Sequence, residues 1–237
     1  MNQTTRLIEL AAAIGLTVPQ IAAERFERFT GLLLSYNQKV NLTAITDPAE
    51  ITIRHYLDSI SPLAFDLIPN AARVIDVGCG AGFPSFPLAF LREDCDFTLL
   101  DSLRKRITFI ETVTADLQLT NITPIHGRAE ELGQDLAHRE QYDIAVSRAV
   151  SRLNRLCEVT LPFVAVGGCL IAYKAVDSDE EITEAANALE VLGATLEEVK
   201  DIALCEGLTH RLVVIRKNRE TPTKYPRKPA KISASPL

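Results

Sequence analysis

Arg73-Val74-Ile75-Asp76-Val77-Gly78-Cys79-Gly80-Ala81-Gly82-Phe83-Pro84 is the stretch that decides how this chain folds. Val74 to Val77 is a short apolar run of the kind that forms a buried strand. It stops at three glycines spaced two apart. Glycine allows a sharp turn and lets a ligand approach the backbone closely. Pro84 and Pro87 suit the first turn of a helix, where a missing N–H costs nothing. Strand, glycine loop and helix together predict a ligand-binding corner at the carboxyl end of a parallel strand. The Gly-x-Gly-x-Gly spacing differs from Gly-x-Gly-x-x-Gly, whose loop serves a pyrophosphate. Asp76, just before the glycines, would repel a pyrophosphate. It suits a ligand with a positive end, such as the ammonium and sulfonium of S-adenosylmethionine.

Phe97-Thr98-Leu99-Leu100-Asp101 is a second apolar run that ends in a carboxylate. Asp101 follows Gly78 by 23 positions. That is close to the offset at which an acid meets ribose hydroxyls in nucleotide-binding βαβ units. A carboxylate only accepts hydrogen bonds, so it matches a vicinal diol of donors. A glycine loop alone could be a tight turn without a ligand; Asp101 at this offset weighs against that.

Working outward, the alternation of strands and helices continues from Arg73 almost to the end. Strands are predicted at 73–77, 96–101, 122–126, 142–147, 168–174 and 211–217, with a weaker one at 196–204. Helices are predicted at 84–91, 103–118, 129–137, 150–163 and 178–192. Such alternation implies parallel pairing with helices on both faces. The short connection from Cys205 to His210 predicts an antiparallel hairpin at the sheet edge. The expected class is therefore α/β: a doubly wound, mostly parallel, Rossmann-like methyltransferase sheet with that hairpin at its edge.

Upstream, residues 4–14 and 19–39 read as helices. Ile21, Phe26, Phe29, Leu33 and Tyr36 recur at helical spacing. Asp47-Pro48-Ala49-Glu50 starts a third helix, with Asp47 as N-cap and Glu50 reaching back as in a capping box. That helix should end before Pro62. The expected organisation is a helical appendage over 1–65, a methyltransferase domain over 66–219, and a basic, Pro-rich tail over 220–237, extended and only partly ordered.

The chain has 237 residues, 47% of them hydrophobic, enough for a sizeable core. It has no apolar run of membrane-spanning length and no secretory h-region. Its five cysteines are scattered without Cys-x-x-Cys, so neither a zinc site nor a disulfide framework is expected. Reduced thiols point to the cytoplasm. The net charge of −6 hides an asymmetry, because His210 to Leu237 carries a local balance of +7. A basic tail on an acidic body fits a nucleic-acid contact; a solvated tail is the plainer alternative.

Several blocks then stand out together. Asn41-Leu42-Thr43-Ala44-Ile45, Arg54-His55-Tyr56-Leu57-Asp58-Ser59, Asp76 to Pro84, Leu99-Leu100-Asp101-Ser102-Leu103-Arg104-Lys105-Arg106, Gly127-Arg128-Ala129-Glu130, Ser147-Arg148-Ala149-Val150 and Lys224-Tyr225-Pro226-Arg227-Lys228-Pro229 occur in this order. In combination they resemble the ribosomal RNA small-subunit methyltransferase G family, also called glucose-inhibited division protein B. The resemblance implies methyl transfer from S-adenosyl-L-methionine to N7 of one guanine in 16S ribosomal RNA. It implies cofactor contacts at Gly78, Phe83, Ala129, Glu130 and Arg148; Gly80 of the glycine loop, and Asp101, which sits where an acid usually holds the ribose in the wider methyltransferase class, complete the expected cofactor site. Ser85 and Phe86 depart from the family's usual Gly-Ile, and Ala175 and Ala230 stand where glycine is common.

No metal is expected. Arg148, Lys174 and His55 are the candidates near the chemistry. Arg54, His55, Lys174, Lys224, Arg227 and Lys228 are candidate contacts to RNA, the tail cations positioning phosphates without reading sequence. The partner would be 16S RNA or the small ribosomal subunit, with the enzyme a monomer and no membrane involved. Each residue also has a plain structural alternative: a core aromatic for Phe83, a helix-first-turn acid for Glu130, a surface ion pair for Arg148 and a structural ring for His55. Other readings of the chain remain open here. They are a methyltransferase for another acceptor, an NAD-dependent oxidoreductase, and a non-catalytic RNA-binding assembly factor.

Overall fold

β1 (Arg73–Val77) is buried at every position after Arg73. A strand apolar on both faces belongs in the middle of a parallel sheet covered on both sides. It pairs in parallel with β2 (Asp96–Asp101) on one side and β4 (Tyr142–Arg148) on the other. β3 (Ile122–His126) extends the sheet beyond β2, and β5 (Val164–Lys174) extends it beyond β4. β6 (Ala194–Cys205) and β7 (Leu208–Lys217) form an antiparallel hairpin with β7 innermost, so the order is β3-β2-β1-β4-β5-β7-β6. The expected fold class is the observed one. The order reverses between β1 and β4, and ligands bind at such a switch point in open α/β sheets. The computed structural model describes residues 3–148, 150–205 and 207–237; Ala149, quoted above, lies outside the described residues.

Side chains alternate between the two faces. Val74, Phe97, Leu99, Ile144, Ile171 and Val214 enter one core, and Ile75, Val77, Ala145, Leu170, Ala172 and Val213 enter the other. The second core is closed by α8 (Leu153–Thr160) and α10 (Ala186–Leu192). The first is closed by α5 (Ser85–Leu91), α6 (Arg104–Asp116) and the N-terminal helices α1 (Gln3–Ala13) and α2 (Gln20–Val40). Phe29 of α2 lies 5.4 Å from Phe83 and 5.0 Å from Phe86, centroid to centroid. The N-terminal helices therefore share the sheet's own core. Among the described residues no helix is long and apolar enough to cross a membrane.

The third predicted helix is real but irregular. It opens as α3 (Pro48–Glu50), widens into a π-helical segment over Ile51–Leu57, continues as α4 (Asp58–Ile60), and tightens to a 3₁₀ turn over Ser61–Phe65. Asp47 Oδ1 caps it by accepting from the N–H groups of Ala49 and Glu50, each at 3.0 Å. Glu50 does not close the expected capping box; its carboxylate pairs with Arg54 one turn on. π-turns are uncommon and gather at functional sites, and this one carries Arg54 and His55.

Other boundaries shift for local reasons. β5 begins at Val164 because its register against β4 slips between Tyr142 and Ile144, and Gly167 and Gly168 absorb the irregularity. The helix expected over 129–137 is the single turn α7 (Ala129–Leu132). The helix expected over 178–192 is broken at Ala185 into α9 (Asp179–Glu184) and α10. The tail is the largest departure. It is not loose: Tyr225 and Ile232 are buried, and residues Pro229–Ala234 form α11. Arg139 holds it by donating to the carbonyls of Thr221 (2.6 Å) and Tyr225 (2.8 Å). Its four prolines and few apolar residues resemble a disordered segment because its anchors are main-chain carbonyls, which sequence does not display.

Candidate functional site

The glycine loop leaves β1 with Gly78, Gly80 and Gly82 all in the left-handed region, at φ +80°, +58° and +86°. L-residues adopt this conformation at a cost, so the glycines are needed for shape. The amides of Gly78 and Cys79 donate to Leu100 O at 2.8 and 3.1 Å, tying the loop to β2. Asp101, at the end of β2, completes the join. Its carboxylate accepts from Gly80 N (3.0 Å), Leu103 N (2.9 Å) and Arg106 Nη1 (3.0 Å).

These elements enclose a cavity of about 540 Å³ at the carboxyl ends of β1, β2 and β4. Gly78, Gly80, Phe83, Asp101, Ala129, Glu130 and Arg148 all line it. A β-carbon on Gly78 would lie 2.8 Å from Val150 Cγ2. Val150 is exposed and free to move aside, so Gly78→Ala should cost about 1–2 kcal/mol, chiefly from the left-handed backbone. Loss of S-adenosylmethionine affinity in calorimetry, larger than this loss of stability, is the expected accompaniment.

Asp76 does not face this cavity, contrary to the expectation of a carboxylate for a positive ligand. Strand alternation turns Asp76 toward α5 and leaves Val77 on the cavity side. Asp76 is fully buried, with Oδ2 accepting from Ser85 Oγ at 2.7 Å and Oδ1 unpartnered among the described residues. Burial pushes its pKa up to about 7. Ser85, one of the departures from the family pattern, thus supplies a hydrogen bond that glycine would not.

The raised pKa has a sign. Between about pH 4 and 7 the folded protein holds a proton on Asp76 that the unfolded chain has released, so this group's contribution falls as pH rises. Asp76→Asn is therefore expected to be stabilised relative to the parent increasingly from pH 4.5 to 7.5. Urea midpoints at the two pH values check this; a constant difference would contradict it.

On the opposite wall, Phe83 stacks on His55 with centroids 4.4 Å apart, and the Arg148 guanidinium lies 5.1 Å over the Phe83 ring. Arg148 donates through Nη1 to Asp58 Oδ2 (2.9 Å) and Arg54 O (3.1 Å), and through Nη2 to His55 Nδ1 (3.2 Å). A guanidinium only donates, so His55 Nδ1 is an acceptor and the ring hydrogen sits on Nε2. Nε2 then donates to Thr43 Oγ1 at 2.9 Å. Burial, reinforced by the Arg148 charge, lowers the His55 pKa to about 4. The ring is neutral at physiological pH, with both nitrogens engaged.

Asp58 anchors the wall from behind. It is buried, with Oδ2 held by Arg148 and Oδ1 accepting from His210 Nδ1 at 2.6 Å. Asp58 lay in one of the quoted blocks without an assigned role, and nothing in the sequence signals His210. Arg106, at the other end of the cavity, also went unread; its position one turn after Asp101 was the available signal.

The RNA candidates divide into two sets. Lys174 turns inward, donating to Ser151 O at 2.8 Å and pairing with Glu181. His55 is buried and uncharged. Arg227 is committed to Glu158, donating through Nε at 2.7 Å and its own backbone N–H at 3.0 Å. Arg54 is half-exposed and paired with Glu50. Lys224 and Lys228 are exposed and have no acidic partner among the described residues. A metal-binding group of His, Cys, Asp and Glu is absent among the described residues.

A family model described as GidB, rRNA small subunit methyltransferase G, matches residues 22–209. A ribosomal RNA small subunit methyltransferase G of Thermoanaerobacter sp. (strain X514) is 47% identical over 232 residues, covering 98% of this chain and 97% of the relative. One from Streptococcus pneumoniae serotype 19F (strain G54) is 44% identical over 215 residues, covering 90% and 91%. Among solved structures, a putative rRNA-methylase from Clostridium thermocellum matches with TM-score 0.51 and 16% identity, covering 70% of this chain and 97% of that one. M. jannaschii TYW2 in complex with AdoMet matches with TM-score 0.52 and 16% identity, covering 67% and 74%.

Proposed function

From the premise that the chain belongs to the ribosomal RNA small subunit methyltransferase G family, we propose that it transfers a methyl group from S-adenosylmethionine to N7 of one guanine in 16S ribosomal RNA. The cavity suits the donor. Its volume is in the range of small-molecule sites. A β-carbon on Gly80 would meet nothing nearer than Gly78 O at 4.0 Å, so the backbone there is open to a ligand. Gly78 and Gly80 would cradle the donor, Asp101 would take its ribose, and Ala129 and Glu130 would border its adenine. When bound, the donor supplies an electrophilic sulfonium methyl group.

The observation that carries the N7 assignment is the state of His55. Both of its ring nitrogens are engaged and its pKa is lowered to about 4, so it is a weak, occupied base at the wall of the donor cavity. Hydroxyl and exocyclic amine acceptors need a proton removed during or before transfer. Guanine N7 offers an in-plane lone pair and needs none. The work left to the protein is alignment, which can supply several kcal/mol of a barrier. Phe83, His55 and Arg148 form a rigid surface for that purpose.

Lys224 and Lys228 would contact RNA phosphates, with Arg54 nearer the site. A ribosomal RNA acceptor calls for a cytoplasmic enzyme. The test is incubation with labelled S-adenosylmethionine and small subunits from cells lacking N7-methylguanosine in 16S RNA, followed by mapping. Label at one guanine N7 is expected. Label on another atom, or none despite donor binding, overturns the assignment.

A further inference from the structure

A second cavity, of about 450 Å³, lies behind the wall of the first. His55 and Arg148 line both, so the two spaces meet across these side chains. Tyr173, at the end of β5, and His210, on β7, form its far side, and Arg54 stands at its rim. We infer that this second cavity receives the acceptor base, and that His210 Nε2 reads the N1–H and N2-amine edge of a guanine. The inference rests on the RNA-methyltransferase reading and adds the place and the recognition chemistry.

Three observations carry it. First, transfer from sulfur to a ring nitrogen needs acceptor and donor in adjoining spaces, and Asp101 at the opposite end of the first cavity takes the ribose end. The end bounded by His55, Phe83 and Arg148 is left for the methyl group, and the second cavity shares His55 and Arg148 with that end.

Second, the hydrogen bonds fix how His210 can act. Asp58 Oδ1 accepts from its Nδ1 at 2.6 Å, so Nδ1 carries a hydrogen and the ring orientation is set. Nε2 has no partner among the described residues, on a side chain that is 29% exposed and lines the cavity. In the neutral ring Nε2 is an acceptor. Guanine presents two adjacent donors, N1–H and the N2 amine, whereas adenine presents a bare N1 that would face it lone pair to lone pair.

Third, the charge that develops on the base favours an acceptor at this edge. Arg148 already places one cation on Asp58. Methylation at N7 makes the base cationic, so an acceptor on its far edge stabilises the product charge and a second cation there would oppose it. His210 is thus a specificity-determining contact, oriented by the same buried carboxylate that orients Arg148.

The test is a cycle between protein and RNA, using small subunits reconstituted with 16S RNA that carries guanine, inosine or N1-methylguanine at the mapped target. Inosine lacks the N2 amine, and N1-methylguanine lacks N1–H. The full-length protein and its His210→Ala and His210→Gln variants are compared for kcat/KM and for donor affinity by calorimetry. His210→Ala should lose about tenfold on guanine with donor affinity unchanged. At least one base replacement should cost the parent a similar factor and cost His210→Ala little, and His210→Gln, which keeps an acceptor, should recover part of the loss. If both variants lose activity equally on all three bases, His210 acts only through Asp58 and the inference falls. If they lose nothing, it falls as well. Failure of the parent to methylate guanine-containing subunits is a different result, and removes the underlying reading itself.

Discussion

Arg148→Ala is expected to cost the fold about 3–5 kcal/mol and to slow methyl transfer by about a hundredfold or more. The stability loss follows from what remains. Asp58, its side chain 2% exposed, would keep His210 on one oxygen and have its other oxygen buried without a cation. Removing one partner of a buried ion pair strands the other charge, which is the expensive half of the exchange. The kinetic loss has a separate origin: Phe83 and His55 lose the guanidinium that fixes them, and transfer depends on alignment within about 1 Å.

Urea unfolding and single-turnover transfer measure the two effects. The double variant Arg148→Ala, Asp58→Ala should be less destabilised than the sum of its parts, because it no longer strands a charge. Simple additivity would contradict the coupling. The His55 pKa should also rise in Arg148→Ala, since a repelling cation is gone, with burial still keeping it below the ordinary value.

Two neighbouring tail cations should behave in opposite ways. Arg227→Ala leaves Glu158, which is fully buried, with only a backbone N–H, and should cost about 3–5 kcal/mol. Its effect on RNA binding would follow from loosening the tail, and weakening by this route should leave the salt slope nearly unchanged. Lys228→Ala removes an exposed cation without an acidic partner and should change stability by less than about 0.5 kcal/mol. It should reduce the slope of log binding constant against log salt by about 0.7–0.9 if Lys228 meets one phosphate. Salt titrations of the two variants side by side decide the matter. The reverse pattern would mean that Arg227 leaves Glu158 when RNA binds.

How much of this was legible beforehand depended on how local each signal is. The loop at Gly78, Gly80 and Gly82 and the acid at Asp101 are short-range patterns, and all the residues expected at the donor line one cavity. Asp76 was misjudged because the residue type was weighed without its face: one step along a strand turns a side chain to the other side. Lys174 and Arg227 looked like surface cations because their partners, Glu181 and Glu158, are remote or unremarkable in sequence. The Asp58, Arg148 and His210 assembly draws on three distant segments. Only the sheet brings β4 and β7 to the same edge as the irregular helix. No periodicity or spacing encodes such a meeting.

The sheet order also bears on how the protein is made. β6 precedes β7 in the chain, yet β7 lies between β5 and β6. As residues emerge in sequence, β6 therefore has no place in the sheet until Leu208–Lys217 has followed it. A chain halted before that point would present β5 as an open edge and carry β6 as a second, unpaired strand. Unpaired strands are templates for pairing between chains. Incomplete copies of this protein should therefore aggregate far more readily than the finished chain, in which β7 pairs with both strands and leaves only the outer side of β6 as an edge.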